Sequence, residues 1–173
     1  FQDECLVSQY TIPSYALRTI VSYCDTYNLP YFIDDTFNYA IQNPEQIPFH
    51  SNVDPLNKAR ILPVHELNEP IKVVIPLVEH EDIREDLIFN LNKLECLDLS
   101  YHDIERCLYI NPKGVSKAST VLNHFGKDFV AFGNDQNDIE LFKTSLYSVQ
   151  IGDFAGLSPY ADETLELKGE PSP

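Results

Sequence analysis

The 173-residue sequence is short of positive charge: 12 Lys and Arg stand against 27 Asp and Glu, a formal net charge of −15. Proteins that grip nucleic acid phosphates or anionic lipid need clustered Lys and Arg. Neither nucleic acid nor a membrane is therefore expected as a partner, and any phosphate the chain handles must be met locally. Long apolar runs are also missing. No stretch approaches the roughly 18 residues of a membrane-spanning helix, and residues 1–10 lack the basic start, apolar centre and cleavage pattern of a signal peptide. A soluble, cytoplasmic chain is expected. The four cysteines, Cys5, Cys24, Cys96 and Cys107, show no CxxC spacing. A chain of this size has no need of disulfide staples, so they are expected as reduced core residues. Neither GxGxxG nor GxxxxGK followed by Ser or Thr occurs, which counts against an unrelated nucleotide-binding α/β domain.

What is present is a globular composition, 43% hydrophobic and 12% aromatic, enough for one ordinary core or two small ones. After a lead-in, Thr11 is placed to cap a helix with Pro13 in its first turn and Leu17, Ile20, Val21 and Cys24 on one face. Asn28-Leu29-Pro30 ends it. Tyr31, Phe32 and Ile33 predict a short buried strand, and the following Asp34-Asp35-Thr36 reads as a turn in which Asp bonds its own backbone rather than as a metal site. Residues 41–70 carry five prolines and are expected to be loop-rich, with one short helix over residues 54–61. Residues 71–77 predict a strand. Ile83, Leu87, Ile88, Leu91 and Leu94 recur at helical spacing, with the acidic run over residues 79–86 as a solvated first turn. Residues 95–101 and 106–110 predict a hairpin. Cys96, His102 and Cys107 fit no common zinc spacing, and none of the five histidines lies in a local sequence that marks a catalytic triad.

A domain boundary is expected at residues 111–114, Asn-Pro-Lys-Gly. The first 112 residues hold 18 acidic and 7 basic side chains, the remainder 9 and 5. Ser116 is placed to cap a helix in which Ala118, Val121, Leu122 and Phe125 share a face. Lys117 then sits at the first helical position, where the helix dipole disfavours a cation. An anion held between the helix start and the next strand's end would give it a reason. Residues 128–142 form the stretch around which the rest is arranged: an apolar run from Phe129 to Phe132, Gly133, a polar cluster of Asn134, Asp135, Gln136, Asn137 and Asp138, then Ile139, Leu141 and Phe142. That is strand, tight turn and helix start, with oxygen ligands just past a strand end, where open α/β sheets place their ligands. A further strand over residues 147–151 and Gly152-Asp153 imply a parallel sheet with right-handed crossovers.

The order Gly114-Val-Ser-Lys117, then Ala131-Phe-Gly-Asn-Asp-Gln-Asn-Asp-Ile-Glu-Leu-Phe142, then Ser148-Val-Gln-Ile-Gly-Asp-Phe154, then Tyr160-Ala-Asp-Glu-Thr164 resembles the C-terminal half of a haloacid dehalogenase-like phosphatase of the Cof-type subgroup. The resemblance implies an α/β fold: residues 113–173 as the C-terminal part of a Rossmann-like parallel-sheet core, residues 12–112 as an inserted α/β cap that determines specificity, and residues 1–11 as a lead-in. It implies a Mg2+-dependent phosphatase that hydrolyses a small phosphorylated metabolite through an aspartyl-phosphate intermediate. Lys117 matches the catalytic lysine that offsets the charge of phosphate and nucleophile, and Asn137 the asparagine that orients lysine or phosphate. Asn134, Asp135 and Asp138 match the metal-holding loop.

Two departures from the family pattern stand out. Asn134 occupies a place where aspartate is usual, with Asp135 one residue later. The family's first motif, DxDxT, which supplies the nucleophile and the general acid/base, is missing, as is the second motif's phosphate-binding Ser or Thr. Asp34-Asp35-Thr36 has the wrong spacing to replace the first. The expectation is a chain whose N-terminal segment lies elsewhere in the natural protein, inactive alone, and poorly soluble unless it associates with that segment. The alternative is a non-catalytic binding or interaction domain that keeps affinity for a cation or phosphate.

Overall fold

In a computed structural model, which describes residues 10–166, the helical spacing of Leu17, Ile20 and Cys24 becomes the buried face of α1 (Ser14–Tyr27), and Asn28 ends the helix in the left-handed conformation at φ 51°. The helix starts two residues later than a Thr11 cap would place it. The Ile12 amide donates to the Pro70 carbonyl at 2.7 Å instead, which keeps that segment extended. Of the lead-in over residues 1–11, residues 1–9 lie outside the described residues, as do Cys5 and the tail over residues 168–173. The chain divides after Gly114 into two compact units.

In the first unit five strands form one antiparallel sheet: β1 (Tyr31–Asp34), β2 (Tyr39–Gln42), β3 (Lys72–Pro76), β4 (Leu97–His102) and β5 (Cys107–Pro112), in the order β2-β1-β3-β5-β4. The side-chain alternation of a strand sorts its residues onto two faces. Tyr31, Ile33, Val73, Ile75, Leu108 and Ile110 pack with Leu17, Ile20 and Cys24 of α1 and with Leu87 and Leu91 of α3 (Arg84–Asn92). Phe32, Val74 and Cys107 point the other way. They meet Ile47, Phe49 and Val53 from the segment that follows β2. Both faces are thus covered, so these strands read as continuous apolar runs.

Several local expectations change. Strand β2 was not expected, and it runs into the start of the loop-rich segment over residues 41–70. Tyr39 to Gln42 pair with β1 through a turn closed by the Asp35 amide on the Asn38 carbonyl. The helix expected over residues 54–61 does not form, and a four-residue helix, α2 (His50–Val53), precedes it. The Asp54 carboxylate accepts instead from the amides of Lys58 and Ala59 at 2.9 and 2.8 Å, and Asn57 is left-handed at φ 49°. A side chain that binds backbone donors locally competes with helix. Asp35 is buried and accepts from the amides of Thr36, Asn68 and Glu69, which agrees with the turn reading and extends it by tying in a loop 33 residues away. Glu81 is not merely solvated. It accepts from Tyr101 Oη and from Arg106 Nε (2.9 Å), and pairs with Arg84 (3.2 Å), joining the helix start to the hairpin.

The second unit holds α4 (Lys117–Phe125), β6 (Val130–Gly133), α5 (Ile139–Thr144), β7 (Tyr147–Ile151) and β8 (Glu163–Leu165), with a parallel sheet in the order β6-β7-β8. The strand β8 was not expected, because Glu163-Thr164-Leu165 has no apolar run and is exposed. Ala131 packs with Phe142 and Leu157. Val130 and Phe132, expected in a buried strand, are 52% and 60% exposed, and among the described residues β6 pairs only with β7. The whole is a mixed α/β structure with one antiparallel and one parallel sheet. No helix among the described residues is long and apolar enough to cross a membrane.

Two outcomes test these contacts. Asp35→Ala leaves three part-buried amides without their acceptor and is expected to cost about 1–2 kcal/mol, read as a lower urea midpoint. Hydrogen bonds from Tyr101 and Arg106 hold the Glu81 carboxyl below its ordinary range. A depressed carboxyl stabilises the fold above its unfolded-state value and loses that contribution as pH falls through the folded-state value. The stability gap between the parent and Glu81→Gln should therefore be present at neutral pH and close on acidification below the ordinary glutamate range, followed by thermal melts across pH.

Candidate active site

Ser116 takes extended geometry (φ −135°, ψ 167°) and its hydroxyl accepts from the Ser119 amide at 3.1 Å, while Ser119 Oγ accepts from the Ser116 amide at 2.8 Å. This reciprocal cap fixes where α4 begins and hence where Lys117 stands. The Lys117 Nζ donates to Asp138 Oδ1 at 2.6 Å and to Asn137 Oδ1 at 3.1 Å. An ammonium has three donors. Two are engaged here, and the side chain remains 56% exposed, so one donor is left for an incoming group.

Asp138 is buried, 3% exposed. Its second oxygen, Oδ2, accepts from the amides of Asn134 (3.0 Å) and Asp135 (3.4 Å). Asp135 in turn is extended and caps the 3-10 turn Gln136–Asp138, accepting from the Gln136 amide at 2.6 Å. Gly133 is needed for a different reason. A Cβ at that position would lie 2.6 Å from Asp138 Cβ and 2.7 Å from its Oδ2, so only glycine lets the strand end pass against the carboxylate. The polar cluster that follows β6 is thus a folded-back loop around one buried carboxylate.

The structure brings Lys117, Asn137, Asp138 and the backbone of Asn134 and Asp135 together. Asn134, Asp135 and Asn137 are exposed. Asp138, expected among the metal ligands, has both oxygens hydrogen-bonded: Oδ2 accepts from two loop amides and Oδ1 from Lys117, which leaves one lone pair, on Oδ1. Every side-chain metal donor at the loop is an oxygen, the type a hard cation takes, and Asn134 and Asp135 are both exposed. The donor chemistry therefore fits part of a Mg2+ shell. Among the described residues no group of three His, Cys, Asp or Glu side chains is gathered as a complete metal site. Mg2+ commonly keeps several waters and takes one or two protein carboxylates, so a partial donor set is compatible with it.

Two buried polar residues behind this loop gave no signal as site residues. Ser148 donates its amide to Asp162 Oδ2 at 2.8 Å, and its hydroxyl lies 2.8 Å from the same oxygen. Gln150, paired with Gly133 across the two strands, is fully buried, donates to the Phe154 carbonyl at 2.9 Å and leaves Oε1 without a partner among the described residues. Their positions inside the Ser148–Phe154 and Tyr160–Thr164 motifs were the available clue. Cys96, His102 and Cys107 take other roles: His102 stacks on Tyr109 with ring centroids 4.4 Å apart, and the Cys107 thiol donates to the Glu105 carbonyl.

The Lys117 and Asp138 pair is testable by stability. Lys117→Met strands a buried carboxylate, and with the lysine half exposed to water the expected loss is about 1–2 kcal/mol. Adding Asp138→Asn should give a double variant that loses less than the sum of the single losses. Strict additivity in urea unfolding would refute the coupling. Gly133→Ala, which drives a methyl into Asp138, is expected to lose about 1–3 kcal/mol.

Residues 1–156 match the family model of the haloacid dehalogenase-like hydrolases. Solved structures share the fold at low identity. A Thermotoga maritima protein, TM0651, superposes with a TM-score of 0.71 at 16% identity, covering 95% of this chain and 65% of its own. A haloacid dehalogenase-like hydrolase from Bacteroides thetaiotaomicron gives 0.73 at 16%, covering 90% and 62%. The subclass IIB sugar phosphatase BT4131 gives 0.71 at 16%, covering 94% and 65%. The chain thus spans less than two thirds of the length of each of these relatives. No curated protein matches the sequence significantly. With a family model matched over nine tenths of its length, the chain belongs to the haloacid dehalogenase-like hydrolases.

Proposed function

We propose that this chain is the cap and C-terminal core of a Mg2+-dependent phosphatase that cleaves a small phosphorylated metabolite to its alcohol and phosphate. Residues 12–112 would form the cap that chooses the substrate, and residues 113–173 would carry the phosphate-facing half of the site. The observation that carries this reading is the Lys117 ammonium, held by Asp138 and Asn137 with one donor uncommitted. A cation fixed in this way, next to carboxamides and backbone amides, suits the charge that develops on a transferring phosphoryl group. Lys117 would bind and offset that charge, and Asn137 would orient the lysine and the phosphate. Asn134 and Asp135, with Asp138 behind them, would hold Mg2+, which when bound supplies positive charge to the phosphoryl oxygens. Asp138 acts on the lysine, setting its position from a buried place.

The aspartate nucleophile and general acid/base of this chemistry are not among these residues. The reading takes them from a DxDxT-bearing segment outside the chain, and the length of the structural relatives, about a third of which has no counterpart here, supports it. The exposed Val130 and Phe132, and a β6 edge paired only on its β7 side among the described residues, are suited to receive such a segment. One relative is described as a sugar phosphatase, which makes sugar phosphates the first substrates to assay. A second reading, a non-catalytic domain that binds cation or phosphate, is favoured by Asn134, which brings no charge where a carboxylate is usual.

The test uses the longest natural chain on p-nitrophenyl phosphate and a panel of sugar phosphates, with and without Mg2+. Activity should require Mg2+ and fall at least about 100-fold in Lys117→Ala and Asp138→Ala, the scale of losing one charge-stabilising donor. Near-parental rates in both would sink the assignment. A chain that binds Mg2+ or phosphate calorimetrically yet turns over nothing would favour the second reading.

A further inference from the structure

On the first unit's sheet, the face turned towards α2 does not close completely. It leaves a cavity of about 340 Å³ lined by Phe32 and Asp34 of β1, Lys72 and Val74 of β3, Tyr109 of β5, and Phe49 and Val53 beside α2. The same alternation that aims Phe32 and Val74 into this face also brings Asp34 and Lys72 to it, and these two are direct partners in the antiparallel register. Yet they form no ion pair within 4.0 Å, and neither side chain has a hydrogen bond among the described residues. The Lys72 ammonium lies over the Tyr109 ring instead, 5.7 Å from its centroid. Phe32 and Phe49 meet edge to face with centroids 5.7 Å apart and form the apolar wall.

We propose that this cavity is a binding site for a small zwitterion, an α-amino acid with an apolar side chain. Its ammonium would meet the Asp34 carboxylate, its carboxylate would meet the Lys72 ammonium, and its side chain would lie against Phe32, Phe49, Val53 and Val74. The volume falls at the small end of ligand pockets, which are mostly apolar with a few convergent polar groups. Two opposite charges that face each other across the strands without direct contact, and with no other ion pair of their own among the described residues, are complementary to a molecule that carries both. A neutral polyol would leave both charges uncompensated, and a phosphorylated anion would satisfy Lys72 but be repelled by Asp34. Burial pushes the Asp34 carboxyl up, with Lys72 opposing the shift, as expected of an anion that lacks a close partner. The site lies wholly within the first unit and requires nothing of the phosphate chemistry proposed above, so each proposal can fail alone.

The experiment is calorimetric titration of the whole chain with L-leucine and L-phenylalanine, beside N-acetyl-L-leucine, L-leucinamide and glucose. The two free amino acids should bind. Removing either ligand charge should weaken binding at least about tenfold, the scale of one charge-assisted hydrogen bond, as should Asp34→Asn and Lys72→Gln separately. Absence of binding by both free amino acids at millimolar concentration overturns the proposal. So does equal affinity for the acetylated and amidated forms, or preference for glucose. The ligand series on the unaltered protein decides the matter even where a variant fails to fold.

Discussion

The second unit is organised by one buried charge. Asp138 sits 3% exposed at the end of β6, and a carboxylate removed from water must find donors or carry a penalty of several kcal/mol. Lys117 supplies a charged donor from α4, and the amides of Asn134 and Asp135 supply neutral ones from the turn. Because those donors come from two elements, satisfying Asp138 ties the capped start of α4 to the curl of the loop and to the absence of a side chain at position 133. The lysine's placement at a helix start, unfavourable by the dipole alone, is explained by the carboxylate across from it.

The first unit depends on alternation. Each central strand sends one set of side chains to the α1 and α3 side and the other to the segment after β2, so a single register decides both cores. Where that second face is filled by Phe49 and Val53 it is a small core. At its rim, Asp34 and Lys72 occur on the same alternating positions as Phe32 and Val74, and the packing opens into a cavity lined by charge and aromatic rings. Asp35, one residue further, points to the opposite fate for an acidic side chain: it is enclosed by three amides and serves the fold.

Much of this was legible along the chain. The α1 face, the strands at Tyr31 and Lys72, the hairpin, the Ser116 cap and the strand–turn–helix at Gly133 all follow from periodicity, caps and turn residues, which act over a few neighbours. The family, too, was readable from its four motifs. Strand β2 was not legible, since Tyr39-Ala40-Ile41 is too short to show a period, and its pairing with β1 is what makes it a strand. Strand β8 has no apolar signal at all and exists because β7 offers it an edge. The false helix over residues 54–61 had acceptable spacing, and Asp54 defeated it by binding the amides of Lys58 and Ala59.

By itself, then, the sequence determined the chemical inventory of the candidate site: a lysine at a helix start, a glycine, two carboxamides and two carboxylates in a set order. Local rules suffice for that, because caps and turns are settled within a few residues. Only the tertiary structure decided the division of labour. Asp138 turns inward to hold Lys117, while Asn134, Asp135 and Asn137 stay exposed, because burial and donor geometry depend on which residues, 20 or so apart in the chain, are brought within 3 Å or so of each other. The same holds for Asp34 and Lys72, whose meeting across two strands no sequence spacing announces.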